Sequence, residues 1–197
     1  CCYCSAELIY DMPSDDNRYR YICMTCGIVH YQNPKIVAGC IPVWGDQILL
    51  CRRAIEPRSG YWTLPAGFME MGESTLEAGI RETLEEANAR VEVEDLYAVF
   101  NLSHVDQVYM IYRSRLLDLD FSSGVESLEV KLFQQDEIPW DKLAFTAIRE
   151  TLKFYLDDKK TGKFQLHTGD IIKNENCYDF IETLSLIHIS EPTRQEA

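Results

Sequence analysis

Apolar and polar positions along the chain change period several times, and each change marks an element. Ile36–Trp44 and Gln47–Arg52 are apolar, β-branched runs on either side of Gly45-Asp46, which predicts a hairpin. Tyr61–Leu64 reads as a short strand, with Glu56–Gly60 a loop before it and Pro65–Gly72 a glycine-punctuated loop after it. From Ser74 to about Ala89 the period becomes helical. At ~100° per residue, Leu76, Ile80, Thr83, Leu84 and Ala87 fall in one sector, expected to face the core. Glu82, Glu85 and Glu86 fall roughly opposite. Val91–Ser103, Val105–Leu117 and Leu128–Gln134 read as strands, Phe145–Leu156 as a second amphipathic helix, and Phe164–Ile172 as a last strand. Ahead of these lies a small Cys-rich module, residues 1–30, with Tyr31–Pro34 as its exit. Two helices among strands joined by hairpins, without regular βαβ units or an internal repeat, predict an α+β fold with a mixed sheet.

The chain has 197 residues, 46% of them apolar, enough for one domain with a small appendage. No apolar run approaches the ~20 residues of a membrane span, so no membrane partner is expected. The formal net charge of −13 repels phosphate backbones and argues against long nucleic acid as the main partner. Of the eight cysteines, five fall in the first 26 residues, unlike the spread framework of a secreted disulfide domain. A reduced, cytoplasmic protein is therefore expected. The chain opens on Cys1 rather than Met, so an upstream segment, including a targeting peptide, is allowed for. The stretch Leu184–Arg194, LSLIHISEPTR, is identified as the translation of a sequencing adapter, and Leu184–Ala197 is expected to be a non-native tail. Without Glu191, Glu196 and Arg194 the charge is still about −12.

Cys1-x2-Cys4 is followed, after eighteen residues, by Cys23-x2-Cys26. Two tight turns, each presenting two thiolates, fit a tetrahedral Zn²⁺ site of the zinc-ribbon kind, with Gly27 letting the second turn close. Four thiolates leave no open coordination position, so the zinc would be structural. Cys2 is out of step and is read as a spectator. A pair of disulfides is the competing reading.

Glu82, Glu85 and Glu86, at i, i+3 and i+4, bring three carboxylates together on one helix. Their repulsion would be relieved by a hard divalent cation, Mg²⁺ or Mn²⁺. A solvated acidic face is the plainer reading of such a helix. Arg81 beside the cluster, and the tight Pro65-Ala66-Gly67 loop upstream, favour the metal.

Gly67, Glu73, Arg81, Glu82, Glu85 and Glu86 occupy the spacing of the Nudix box, and the chain from Tyr31 to Leu156 resembles the Nudix hydrolase superfamily. Thr83 stands where an aliphatic residue is common, and Asn88 where glycine ends the helix; Asn also tolerates the left-handed conformation. The resemblance implies a Nudix α/β/α sandwich with a mixed β-sheet, preceded by the zinc ribbon. It divides the chain into a ribbon at 1–31 and a hydrolase domain at 32–175. It implies that Glu82, Glu85 and Glu86 bind the catalytic metals, that the Gly67 carbonyl adds a ligand, and that Arg81 orients a box glutamate. Glu73 would support the loop. A further carboxylate would come from Glu126 or Glu129, with Glu126 favoured. Glu82, Glu126 and Glu129 are all candidates for the base. A homodimer is also implied.

The implied reaction is metal-dependent hydrolysis of the diphosphate linkage in a small nucleotide derivative, giving two phosphomonoesters. A ribbon ahead of a Nudix box resembles two branches. One contains NADH pyrophosphatases and RNA decapping enzymes, with a proline- and tryptophan-rich segment after the box. The matching stretch here, Asn101–Met110, has neither residue. The other resembles ADP-ribose and FAD pyrophosphatases. His30–Lys35, Gly67–Glu70, Glu85–Arg90 and Glu137–Asp141 are similar to that branch, so ADP-ribose or FAD is the expected substrate. Ser103, His104, Gln107 and Tyr109 are candidates for substrate binding, although alternating strand positions are also simply core and surface. A non-catalytic nucleotide-sensing regulator is the alternative from another class; loss of a box carboxylate would favour it, and none is lost.

Overall fold

A computed structural model describes residues 1–174 and 178–183. Cys177 and the adapter-like stretch Leu184–Ala197 lie outside the described residues. The chain forms two compact units, Cys1–Pro34 and Lys35 onward.

The first unit is a three-stranded antiparallel sheet of β1 (Leu8–Asp11), β2 (Arg20–Cys23) and β3 (Val29–His30). It is too small for a core of its own: Cys23 is its single buried residue. Left-handed Gly27 (φ 73°) donates its N–H to the Cys23 carbonyl and closes the second cysteine turn.

The second unit holds a nine-stranded mixed sheet. Its strands are β4 (Lys35–Trp44), β5 (Gln47–Arg53), β6 (Trp62–Thr63), β7 (Ala66–Phe68), β8 (Val91–Leu102), β9 (Gln107–Leu116), β10 (Ser127–Phe133), β11 (His167–Lys173) and β12 (Tyr178–Glu182). The order is β10-β5-β4-β9-β8-β11-β12, with β6 on β5 and β7 on β4. β4 runs parallel to β9 and β11 parallel to β8; the other pairings are antiparallel. Two of these strands were not expected: β7 lies within the expected Pro65–Gly72 loop, and β12 follows the expected last strand.

Two helices, α1 (Thr75–Ala87) and α2 (Thr146–Thr161), cover opposite faces of this sheet. Strand alternation sorts the core accordingly. Ile48 and Leu50 of β5 join Ile41, Phe100 and Ile111 under Ile148, Leu152 and Tyr155 of α2. Leu49 and Cys51, one residue out of phase, join Cys40, Tyr112 and Leu116 against Ala87 of α1. This is the expected α/β/α sandwich. Among the described residues no helix is long and apolar enough to cross a membrane.

α1 opens on Ser74, whose side chain accepts from the Glu77 N–H while Glu77 reaches back to the Ser74 N–H. It ends on Asn88 in the left-handed conformation, φ 47°, the role expected of that residue. Thr83 and Ala87 are buried as expected, but the three large residues expected beside them are not. Leu76, Ile80 and Leu84 are 40%, 37% and 48% exposed, while Ala78, Gly79, Thr83, Glu86 and Ala87 are buried. Small side chains bring the helix backbone close to β4. A Cβ on Gly79 would meet the Gly39 carbonyl oxygen at 3.3 Å and the Cys40 sulfur at 3.4 Å. Buried Thr83 satisfies its hydroxyl by donating to the Gly79 carbonyl at 2.8 Å. The rotation that buries this small-residue face turns Glu82 and Glu86 toward the protein and leaves the leucine stripe in solvent.

Candidate active site

Glu86 is only 7% exposed. Its carboxylate accepts the Ala66 N–H at 3.2 Å, at the start of β7. Burial pushes its pKa up to about 8; the Ala66 N–H and Arg53 oppose the rise, and the charges of Glu82 and Glu126 add to it. Burial is also the main cause raising Glu82, against the pull of Arg81. A solvated acidic face does not fit side chains buried this far. Glu85 alone of the three is well exposed, at 58% of its side chain.

Arg81 organises the cluster. Its Nε and Nη2 donate to Glu73 at 3.0 and 2.8 Å, and its Nη1 donates to Glu82 at 2.7 Å and Glu85 at 3.0 Å. Nη2 also reaches the Phe68 carbonyl at 3.0 Å. Arg81 therefore ties the loop after β7 to two turns of α1. Glu73 is drawn down to about 2 by Arg81 and by the Glu70 N–H. The backbone of Gly67 passes directly over Glu82: a Cβ there would collide with the Glu82 carboxylate. Glycine is needed for the strand and the helix to approach.

The two late candidates separate. Glu126 lines the same cleft as Glu82, Glu85 and Glu86, and its charge acts on both Glu82 and Glu86. Glu129 sits on β10 in an ion pair with Arg52 at 3.6 Å, outside the cleft lining. The cleft encloses about 1370 Å³. His104, Gln107 and Tyr109 line it, and Ser103 does not. Both Ser103 and His104 lie in a 3₁₀ turn over Ser103–Val105 between β8 and β9, and of the two only His104 is turned into the cleft.

Cations in the cleft escaped sequence reasoning. Arg53, Arg58, Arg149 and Lys153 all line it. Arg53 stacks over Phe145 at 5.1 Å and donates Nε to the Pro57 carbonyl at 2.9 Å. Arg58 lies over Tyr61 at 5.5 Å. The available signal was the Arg52-Arg53 pair where the apolar Gln47–Arg52 run ends. In so acidic a chain these side chains read as ordinary surface.

In the small unit, the sulfurs of Cys1, Cys4, Cys23 and Cys26 lie within 4.8 Å of one another. Cys1 and Cys26 are 3.7 Å apart, and Cys4 and Cys23 3.3 Å. The Cys26 backbone N–H lowers the Cys23 thiol to about 7, a step toward the thiolate that a soft cation needs. All four are unbridged, and Cys2 stays outside the cluster, 4.0 Å from the His30 ring.

Residues 33–154 match the NUDIX domain family, and residues 1–32 the Nudix N-terminal family of zinc ribbons. The chain belongs to the Nudix family. It is similar to a NUDIX hydrolase from Nitrosomonas europaea of known structure, with 53% identity, a TM-score of 0.86, and coverage of 88% of this chain and 98% of that one. It is 29% identical to an ADP-ribose pyrophosphatase of Methanocaldococcus jannaschii over 58% of this chain and 69% of the relative. It is 35% identical to the NAD-capped RNA hydrolase NudC of Photorhabdus laumondii, over 46% of this chain and 34% of that protein. As a Nudix pyrophosphohydrolase the chain is an enzyme, and its family uses divalent metal ions.

Carboxylate oxygens are the ligand type a hard divalent cation takes, although among the described residues the four cysteines are the only set of three or more His, Cys, Asp or Glu whose ligand atoms lie within 4.8 Å of one another. Buried, mutually repelling carboxylates with one partly buried guanidinium between them are a poor arrangement for stability and a suitable one for Mg²⁺ or Mn²⁺. The four cysteine sulfurs fit a tetrahedral metal of the zinc type.

Proposed function

We propose that this enzyme hydrolyses the diphosphate linkage of ADP-ribose or FAD, giving AMP and a second phosphomonoester. One observation carries the reading. The buried carboxylates share a single cleft with His104, Gln107, Tyr109 and Tyr178. At about 1370 Å³ it exceeds the roughly 300–1,000 Å³ of an ordinary small-ligand site. Such a cleft suits a diphosphate carrying a group at each end.

Glu82, Glu85, Glu86 and Glu126, with the Gly67 carbonyl, would hold Mg²⁺ or Mn²⁺. When bound, the metal neutralises diphosphate charge and lowers the pKa of water. Arg81, held by Glu73, fixes Glu82 and Glu85 in direction. Arg53 has both terminal nitrogens available to a phosphate oxygen, because its described hydrogen bond uses Nε. Water attacks phosphorus as the bridging P–O bond breaks, and its proton passes to Glu82 or Glu126. Glu129 is committed to Arg52. Zn²⁺ on the four cysteines would be structural.

The second reading, hydrolysis of NADH or of an NAD cap on RNA, draws on the similarity to NudC. The net charge of −13 opposes RNA. A turnover panel of ADP-ribose, FAD, NADH and NAD-capped RNA, with Mg²⁺ and with Mn²⁺, tests the proposal. ADP-ribose or FAD should exceed the other two in kcat/KM by about tenfold or more, worth about 1.4 kcal/mol of transition-state binding. Preference for NADH or capped RNA would overturn it.

A further inference from the structure

The loop between β9 and β10 is bound to the very turn of α1 that carries the box glutamates. The Ser122 N–H donates to the Ala87 carbonyl at 2.9 Å, and the Gly124 N–H to the Glu86 carbonyl at 3.0 Å. These carbonyls belong to the last turn of the helix, where helical partners run out. The Asn88 side-chain amide donates to the Ser122 carbonyl at 3.3 Å, the Ser122 hydroxyl at 3.1 Å and the Ser123 carbonyl at 3.3 Å. Beyond the turn, the Ser127 N–H returns to the Gly124 carbonyl at 3.1 Å, and the Glu126 carbonyl accepts the Ala54 N–H at 2.8 Å. Glu126 therefore hangs between two anchors, the end of α1 and the end of β5.

The contact at Gly124 leaves no room for a side chain. A Cβ there would overlap the Glu85 carbonyl oxygen and lie 2.8 Å from its carbon and 3.1 Å from that of Glu86. Its backbone is not left-handed, so the requirement for glycine is steric. Asn88 has a second use. A glycine would satisfy its left-handed backbone equally well, but only a short amide on that backbone reaches the loop.

We propose that Asn88 and Gly124 are positioning residues that clamp the Ser122–Glu126 loop to the end of α1 and so set the place of Glu126 against Glu82 and Glu86 in the metal site. The clamp rests on the reading of Glu126 as a metal ligand. The loop that carries Glu126 is hydrogen-bonded to the backbone of Glu86 itself, which fixes the one backbone relative to the other.

Mn²⁺ binding to the full chain, followed by the EPR signal of the free ion without substrate, tests this. Asn88→Gly keeps the backbone conformation and removes the amide. It should weaken Mn²⁺ binding about threefold, the scale of a lost hydrogen bond. Gly124→Ala should weaken it roughly tenfold, the scale seen when support for a ligand is lost. The melting temperature of metal-free Asn88→Gly should stay within about 4 °C of wild type. In a Glu126→Gln background, neither change should alter Mn²⁺ affinity by more than about twofold, because the side chain they position no longer ligates. If Glu126→Gln weakens binding and the other two variants do not, the clamp is wrong. Full effects persisting in the Glu126→Gln background would also overturn it, since they would act through the helix end. Unchanged Mn²⁺ affinity in Glu126→Gln itself would remove Glu126 from the metal site, and the proposal with it.

Discussion

Glu86 is a carboxylate held where water barely reaches, with its pKa near 8. In the unfolded chain it would titrate near ~4.3. Between those values the folded protein binds one more proton than the unfolded chain, so this residue makes stability fall as pH rises through that window. The limiting slope is about 1.4 kcal/mol per pH unit. Metal-free Glu86→Gln should lose this component, and above about pH 8 it should melt higher than wild type. Its turnover should drop by at least ~10³, the scale of losing a main electrostatic stabiliser. Melting curves in chelator across the pH range, with turnover on ADP-ribose and FAD, measure both effects. Wild-type and variant curves that track each other, with turnover near normal, would take Glu86 out of the site. Glu7→Gln on the ribbon is the matched control and should be nearly silent. The identity of this residue was readable from spacing alone. Its burial was not, because a pattern of charges does not say which way a helix faces.

At the level of one element, α1 inverts the usual rule. Its most apolar stripe, Leu76, Ile80 and Leu84, is exposed, and its buried face is Ala78, Gly79, Thr83 and Ala87 with Glu86. Periodicity assigns the leucines to the core because burial of large apolar area normally dominates. Here the backbone must approach β4 closely, and only small residues permit it. Substitutions should therefore behave opposite to their hydrophobicity. Leu84→Gln should change stability by less than about 0.5 kcal/mol, as for an ordinary surface position. Gly79→Leu should cost about 1–3 kcal/mol by forcing the helix away from the sheet. Urea denaturation midpoints for the two variants check this. A larger loss for Leu84→Gln than for Gly79→Leu would mean that the leucine stripe is the packed face.

Across the molecule, the two units depend on different forces. The larger one buries a core on both faces of its sheet. The ribbon has one buried residue, so cross-linking by metal must supply what packing does not. Protein purified without added zinc should contain one Zn²⁺ per chain by metal analysis, bound by Cys1, Cys4, Cys23 and Cys26. Removing it should unfold β1–β3. Folded, reduced protein free of zinc would defeat the assignment.

The residues of both candidate sites were legible before any fold, because short separations along the chain mark them. Two C-x2-C pairs and a glutamate triplet at i, i+3 and i+4 keep their geometry wherever the elements go. The helix cap at Asn88 was legible for the same local reason. Contacts between elements distant in sequence were not. The Ala66 N–H that meets the Glu86 carboxylate, and the Gly124 N–H that meets the Glu86 carbonyl, come from segments 20 and 38 residues away. Glu126 and Glu129 differ by three residues, yet one enters the cleft and the other pairs with Arg52, because Glu126 lies in the loop ahead of β10, tied to the ends of α1 and β5, while Glu129 lies within the strand. Which face of α1 was buried depended on how near its backbone could come to β4. That is a balance of close approach against apolar area, and it exists only once strand and helix are packed together.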